Sequence, residues 1–184
     1  HDTLPLLSAG GDALWRALER AKAARLASRI GVSVYAPDEL NRIAGRYPLD
    51  IVQAPVSVVD RRFLASGGLA ELRARGAEIH ARSVLLQGLL TLTPDVLPKR
   101  FATLRPALDA FHRSAVHAGL SPLAAAVGFV AGRAEIDRVV VGVTSVGEAR
   151  QLTNVGSATF TGDGVPHAPH DELPVDPRRW EIAA

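Results

Sequence analysis

The stretch DRVVVGVTSVGEARQLTN, residues 137–154, carries the pattern on which the fold turns. Val139, Val140, Val141 and Val143 make a short β-branched run, as a strand buried on both faces requires. Ser145 then stands at the start of a helical segment. A strand over 137–143 followed by a helix over 147–154 is therefore expected. The same unit recurs upstream. Residues 30–34 read as a short buried strand, and Pro37-Asp38-Glu39 follows, with proline and two acids suited to a first helical turn over 37–44. Residues 50–54 precede a helix over 61–75 that Gly76 stops. Residues 79–83 form the next strand, and Pro94, Pro98 and Pro106 punctuate a less regular region behind it. Helices are expected over 101–118, over 122–132 behind the Ser121 cap, and over 12–28 near the start, where Leu14, Leu18, Ala21 and Leu26 recur near helical spacing.

Four strands alternating with helices predict an α/β fold with a parallel, helix-covered sheet. An open doubly wound sheet and a closed barrel compete. No G-x-G-x-x-G turn follows any strand, which weighs against a dinucleotide-binding domain of the first kind. A complete (β/α)8 barrel needs about 250 residues, so 184 residues with four strands amount to half of one.

Composition narrows the function classes. The chain has no cysteine, so disulfide and thiolate chemistry are excluded. A formal net charge of +2, with arginines scattered and no interleaved aromatics, argues against nucleic acid as a partner. The apolar runs are too short to cross a bilayer, and no leader pattern opens the chain. A cytoplasmic protein without a metal site is expected. The chain opens on His1 and lacks methionine, from which we expect its natural start to lie upstream. Residues 161–170 read as a surface loop, and Trp180 as a packing anchor for the tail.

Barrel chemistry collects at the C-terminal ends of strands. These exits carry His1-Asp2, Ser33-Val34-Tyr35, Gln53, Arg82-Ser83 and the segment from Gly142 through Thr144 to Ser145. Any one such polar residue can simply bond a loop or cap a helix. Together they can converge on one rim. Arg150 and Asn154 lie one helical turn apart behind Ser145. A helix N-terminus, a hydroxyl and a guanidinium suit a phosphorylated group, and a serine cap with two solvated side chains is the plainer alternative.

At this point the chain resembles the NADPH-dependent aldo-keto reductases. Ser145, Arg150 and Asn154 have the spacing with which that family grips the adenosine 2′-phosphate and adenine. IGVSVY is similar to the family's fifth strand, which implies that Ser33 bonds the nicotinamide carboxamide. LDIVQAPVSVVDRR resembles the sixth, with Gln53 as a second carboxamide partner. HARSVLLQGLL resembles the seventh, implying that Arg82 backs the nicotinamide ring and Ser83 joins the carboxamide set. Leu85, Gln87 and Gly88 in the following loop would contact phosphate or ribose. DPRRW is similar to the family's closing segment. His1 matches the histidine at the end of the fourth strand, implying a role in polarising the substrate carbonyl.

The resemblance thus implies the C-terminal half of one (β/α)8 TIM barrel over 1–184, with 161–184 as loop and tail. The implied activity is NAD(P)H-dependent interconversion of an aldehyde or ketone and an alcohol. NADP(H) is the implied cofactor, with NAD(H) as the alternative, and the partner is a small carbonyl or alcohol. Val34 stands where many members have Asn, and Thr144 where many have a lysine for the 2′-phosphate; the second departure weakens the preference for NADP. The family's Asp, Tyr and Lys lie on earlier strands, so no turnover is expected of residues 1–184 alone. Two other readings stay open: a non-catalytic nicotinamide-nucleotide-binding regulatory subunit of the same fold, and an unrelated phosphate-binding barrel enzyme.

Overall fold

The computed structural model describes residues 2–167 and 174–180. Four strands, β1 (Gly31–Ser33), β2 (Ile51–Pro55), β3 (Glu78–Arg82) and β4 (Arg138–Val139), pair in parallel in the order β1-β2-β3-β4. Strict chain order leaves no switch point, so the sheet is not doubly wound. It is the arrangement of a barrel segment.

Alternation along each strand separates two faces. Val52, Ala54, Ile79 and Ala81 are fully buried. With them pack the helices α2 (Gly11–Ala23), α3 (Pro37–Ala44), α4 (Arg62–Ala65), α5 (Gly68–Ala74), α6 (Arg105–His117) and α7 (Pro122–Ala131), behind the short α1 (Leu4–Leu7). On the other face Ser33, Gln53, His80 and Arg138 share one level, and Gly31, Ile51 and Glu78 the level below. Gly31 is required there: a Cβ would lie 1.7 Å from the Ile51 carbonyl oxygen. Among the described residues, no single helix is long and apolar enough to cross a membrane.

Two aspartates lace the strand starts by the same device. Asp50, just before β2, accepts from the Ile30 N–H at 3.0 Å and pairs with Lys22 of α2 at 2.6 Å. Asp137, just before β4, accepts from the Ile79 N–H at 2.8 Å and pairs with Arg73 of α5 at 3.0 Å. For Asp50 the Lys22 bond, and for Asp137 the Ile79 N–H, outweighs burial and holds the carboxyl below its ordinary value. A lowered folded-state pKa contributes stability that is complete above the unfolded value, about 4, and is lost as the pH falls through the folded value. Urea unfolding should therefore show stability falling from about pH 4 downward. Asp137→Asn should flatten that fall; an unchanged profile would remove Asp137 from the account.

Several boundaries differ from those the sequence suggests, each for a local reason. The helix expected over 12–28 stops at Ala23, because Arg25 takes a left-handed φ of 59° and turns the chain. The helix expected over 61–75 is two, α4 and α5, broken at left-handed Gly67. The strand expected over 137–143 keeps only two residues, since Ser83 leaves the β3 ladder with a left-handed φ of 58°. Beyond it, Val140 N–H still donates to Ala81 O at 2.8 Å. Short 3-10 turns at Leu89–Thr91, Pro94–Val96 and Lys99–Leu104 fill the proline-rich stretch. The tail returns to the body: Trp180 packs edge-on against Phe101 at 4.7 Å and donates through Nε1 to Pro174 O.

Candidate functional site

Each strand exit is fixed by the element that follows it. After β1, the Glu39 carboxylate reaches back from the first turn of α3 and accepts from the N–H groups of Tyr35 and Ala36 at 2.7 and 3.3 Å. After β4, Glu148 does the same from α8 (Val146–Thr153), accepting from Thr144 N–H at 2.7 Å and Thr144 Oγ1 at 3.0 Å. Ser145 caps α8, its Oγ accepting from Glu148 N–H at 3.1 Å. The turn after β3 takes a different route. Ser83, Leu86, Gln87 and Gly88 all have positive φ, between 47° and 87°, a conformation that non-glycine residues adopt at an energetic cost.

These exits enclose one cleft of about 680 Å³. Gln53, Arg82 and Ser83 stand on its strand side, and Leu85, Gln87 and Gly88 form the adjoining wall. Gly142 and Thr144 complete the rim, beside Glu148, Gln151 and Leu152 of α8. Eight of the residues singled out from the sequence thus meet. Ser33 lies one hydrogen bond behind the cleft, its Oγ donating to Gln53 Oε1 at 3.5 Å. Ser145 is a helix cap outside the wall, and Arg150 and Asn154 are exposed and off the cleft face of α8. His1 lies outside the described residues.

Arg82 is built in more firmly than a strand-exit arginine suggests. Its Nη2 donates to Val34 O at 2.9 Å and its Nη1 to Ser83 Oγ at 3.1 Å. The guanidinium lies 4.1 Å from the centre of the Tyr35 ring, and Arg178 of the tail lies 3.7 Å from the same ring. Tyr35 is therefore sandwiched between two cations. Asp176 locks the outer one, with Arg178 Nη2 to Oδ2 at 2.7 Å. Burial pushes Asp176 up, and the bonds from Arg178 outweigh it, so the carboxyl sits below its usual value. Glu148 and Gln151 are the site residues that sequence reasoning missed, and Tyr35 was named at its strand exit without a role. Glu148 was visible as an acid in the first turn of a helix. Among the described residues no group of three or more His, Cys, Asp or Glu is placed to hold a metal.

Comparison with known proteins places the chain. The model of the Aldo/keto reductase family matches residues 5–167. Among curated proteins none gives a significant match. An aldo-keto reductase from Bacillus halodurans, in its holo form, superposes with a TM-score of 0.65 at 17% identity, covering 81% of this chain and 51% of that one. The glycerol dehydrogenase from Gluconobacter oxydans gives 0.52 at 21% identity, covering 76% of this chain and 52% of that one. A thermostable aldo-keto reductase in complex with the inhibitor epalrestat gives 0.57 at 15%, covering 77% and 47%. This chain spans about half the length of these structures, and its four parallel strands are part of a (β/α)8 barrel. With 163 of its 184 residues matched, counting 5 to 167 inclusive, the chain belongs to the aldo/keto reductase family.

Proposed function

We propose that this chain is the cofactor-holding half of an oxidoreductase that interconverts an aldehyde or ketone and an alcohol. The observation that carries the reading is the convergence of Gln53, Arg82, Ser83 and the 85–88 turn on one cleft at the strand exits. The cofactor is a nicotinamide nucleotide, which supplies or takes up the hydride when bound. Two features of the cleft fit such a group. Arg82 Nε is buried and, among the described residues, lacks a hydrogen-bond partner. The turn at 86–88 is a run of left-handed backbone, the kind that admits close approach of a ligand.

In this reading Gln53, backed by Ser33, and Ser83 orient the carboxamide, so that one face of the ring meets the substrate. Arg82, stiffened by Tyr35 and Val34, closes the other side. Leu85, Gln87 and Gly88 line the passage of the ribose and phosphates, and Gly142 and Thr144 lead toward α8. Beyond the rim, by the family resemblance, Ser145 at the start of α8 and Arg150 and Asn154 on its outer face receive the adenosine end. Arg150 argues for the 2′-phosphate of NADP(H), whereas Thr144 and Glu148 argue for NAD(H). By the family resemblance, His1 polarises the substrate carbonyl.

Titration of the full chain with NADH and NADPH, followed by nucleotide fluorescence, tests this reading. Saturable binding of at least one is expected. Gln53→Ala should weaken it about tenfold, the scale of one or two lost hydrogen bonds in a partly buried site. Binding of neither nucleotide overturns the proposal.

A further inference from the structure

The cleft face of α8 is formed by Glu148, Gln151 and Leu152, while Arg150 is exposed on a different side of the helix. A nucleotide following the cleft to its rim therefore meets a carboxylate and an amide before it meets a guanidinium. That carboxylate is fixed in place. Its two oxygens take the Thr144 N–H at 2.7 Å and the Thr144 hydroxyl at 3.0 Å, and Ser145 Oγ is engaged by the Glu148 N–H at 3.1 Å. The Thr144 donors hold the Glu148 carboxyl below its ordinary value, so it is anionic at neutral pH. The same bonds occupy the Thr144 N–H, the Thr144 hydroxyl and the Glu148 N–H, three of the donors with which this helix start would otherwise meet a phosphate.

We infer that Glu148 makes the adenosine end of the cleft a site for an unphosphorylated ribose, so that NAD(H) is preferred over NADP(H). This inference rests on the proposed nicotinamide cofactor. A carboxylate has about four lone-pair positions, and the Thr144 N–H, the Thr144 hydroxyl and the Ser145 N–H draw on about three of them. Glu148 can therefore still accept from a ribose 2′-hydroxyl, as acidic residues do at other dinucleotide sites. A 2′-phosphate at the same place brings two negative charges against a third that its neighbours keep ionised. The position that a lysine would neutralise is Thr144, which here binds Glu148 instead. Gln151 beside it offers both a donor and an acceptor to the second ribose hydroxyl.

Equilibrium titration of the full chain with NADH and with NADPH reads this directly, with no turnover required. The wild-type chain should bind NADH at least about tenfold more tightly than NADPH. Glu148→Gln, which removes the charge and keeps the shape, should shrink that ratio by about tenfold, chiefly by tightening NADPH. Thr144→Lys should move the ratio in the same direction and guards against a poorly folded glutamine variant. Wild-type preference for NADPH, or a ratio that neither substitution moves, overturns the inference while leaving the cofactor reading intact. Binding of neither nucleotide overturns both.

Discussion

Replacing Phe129 with alanine is expected to cost about 3–5 kcal/mol, the scale of emptying a buried aromatic site. The ring is fully buried in α7. It lies between two guanidinium groups, with Arg133 at 4.2 Å and Arg61 at 4.8 Å from its centre. Both arginines are themselves tied to backbone: Arg61 Nη2 donates to Gly162 O at 2.7 Å and Arg133 Nη2 to Thr161 O at 3.0 Å. Gly162 presses so close that a Cβ there would lie 2.9 Å from the ring. Removal of the ring thus opens a void and withdraws the surface on which the 161–162 strap is laid. Burial also pushes the Arg61 guanidinium below the usual arginine value, and the face of the Phe129 ring is one of the groups that offset that burial. Urea denaturation reads the loss. A change below about 1 kcal/mol, within the range of ordinary surface substitutions, would show that the strap stands without it.

Asp60→Ala should destabilise by a similar amount, about 3–5 kcal/mol. Asp60 is 2% exposed and grips Arg62 in a two-pronged pair, Nε to Oδ1 and Nη2 to Oδ2, both at 2.8 Å. The Arg62 side chain is itself only 9% exposed. Deleting the acid takes the two-pronged partner from a buried cation and leaves it only its weaker attraction to Asp176, the expensive case, whereas removing both charges costs less. A double variant, Asp60→Leu with Arg62→Leu, should accordingly recover part of the loss. If the single and double variants were equally destabilised, the cost would come from packing and not from the stranded charge.

The repeating unit was legible because its signals are local. The helix Pro37–Ala44 has the residues that the Pro-Asp-Glu start indicated, and the Ser121 cap opens α7 as its hydroxyl, accepting from Ala124 N–H, requires. The last strand follows from its short β-branched run, Val139 to Val143. Illegible were features that need a partner distant in sequence. Nothing in residues 137–143 reveals that the adjoining strand leaves its ladder at Ser83, which is what ends β4 early. The stacking of Arg82 and Arg178 on Tyr35 joins residues 35, 82 and 178, and no periodicity connects them. Eight of the cofactor positions meet at the cleft because strand exits of a parallel barrel necessarily share one end. Arg150 and Asn154 show the limit of spacing: one turn apart on α8, they share a face, but that face is not the one turned to the cleft.

The turn at 83–88 has a consequence for how this sequence can vary over time. Three of its non-glycine residues, Ser83, Leu86 and Gln87, already occupy the left-handed region, each at a cost of about 1–2 kcal/mol. Valine, isoleucine or threonine at any of them would be a far worse fit. Drift at these positions is therefore channelled toward glycine, asparagine and aspartate, and the turn keeps its shape while its chemistry shifts. A lineage carrying this fold can retune what the cleft wall offers a ligand at 83 and 87 without ever rebuilding the loop that presents it.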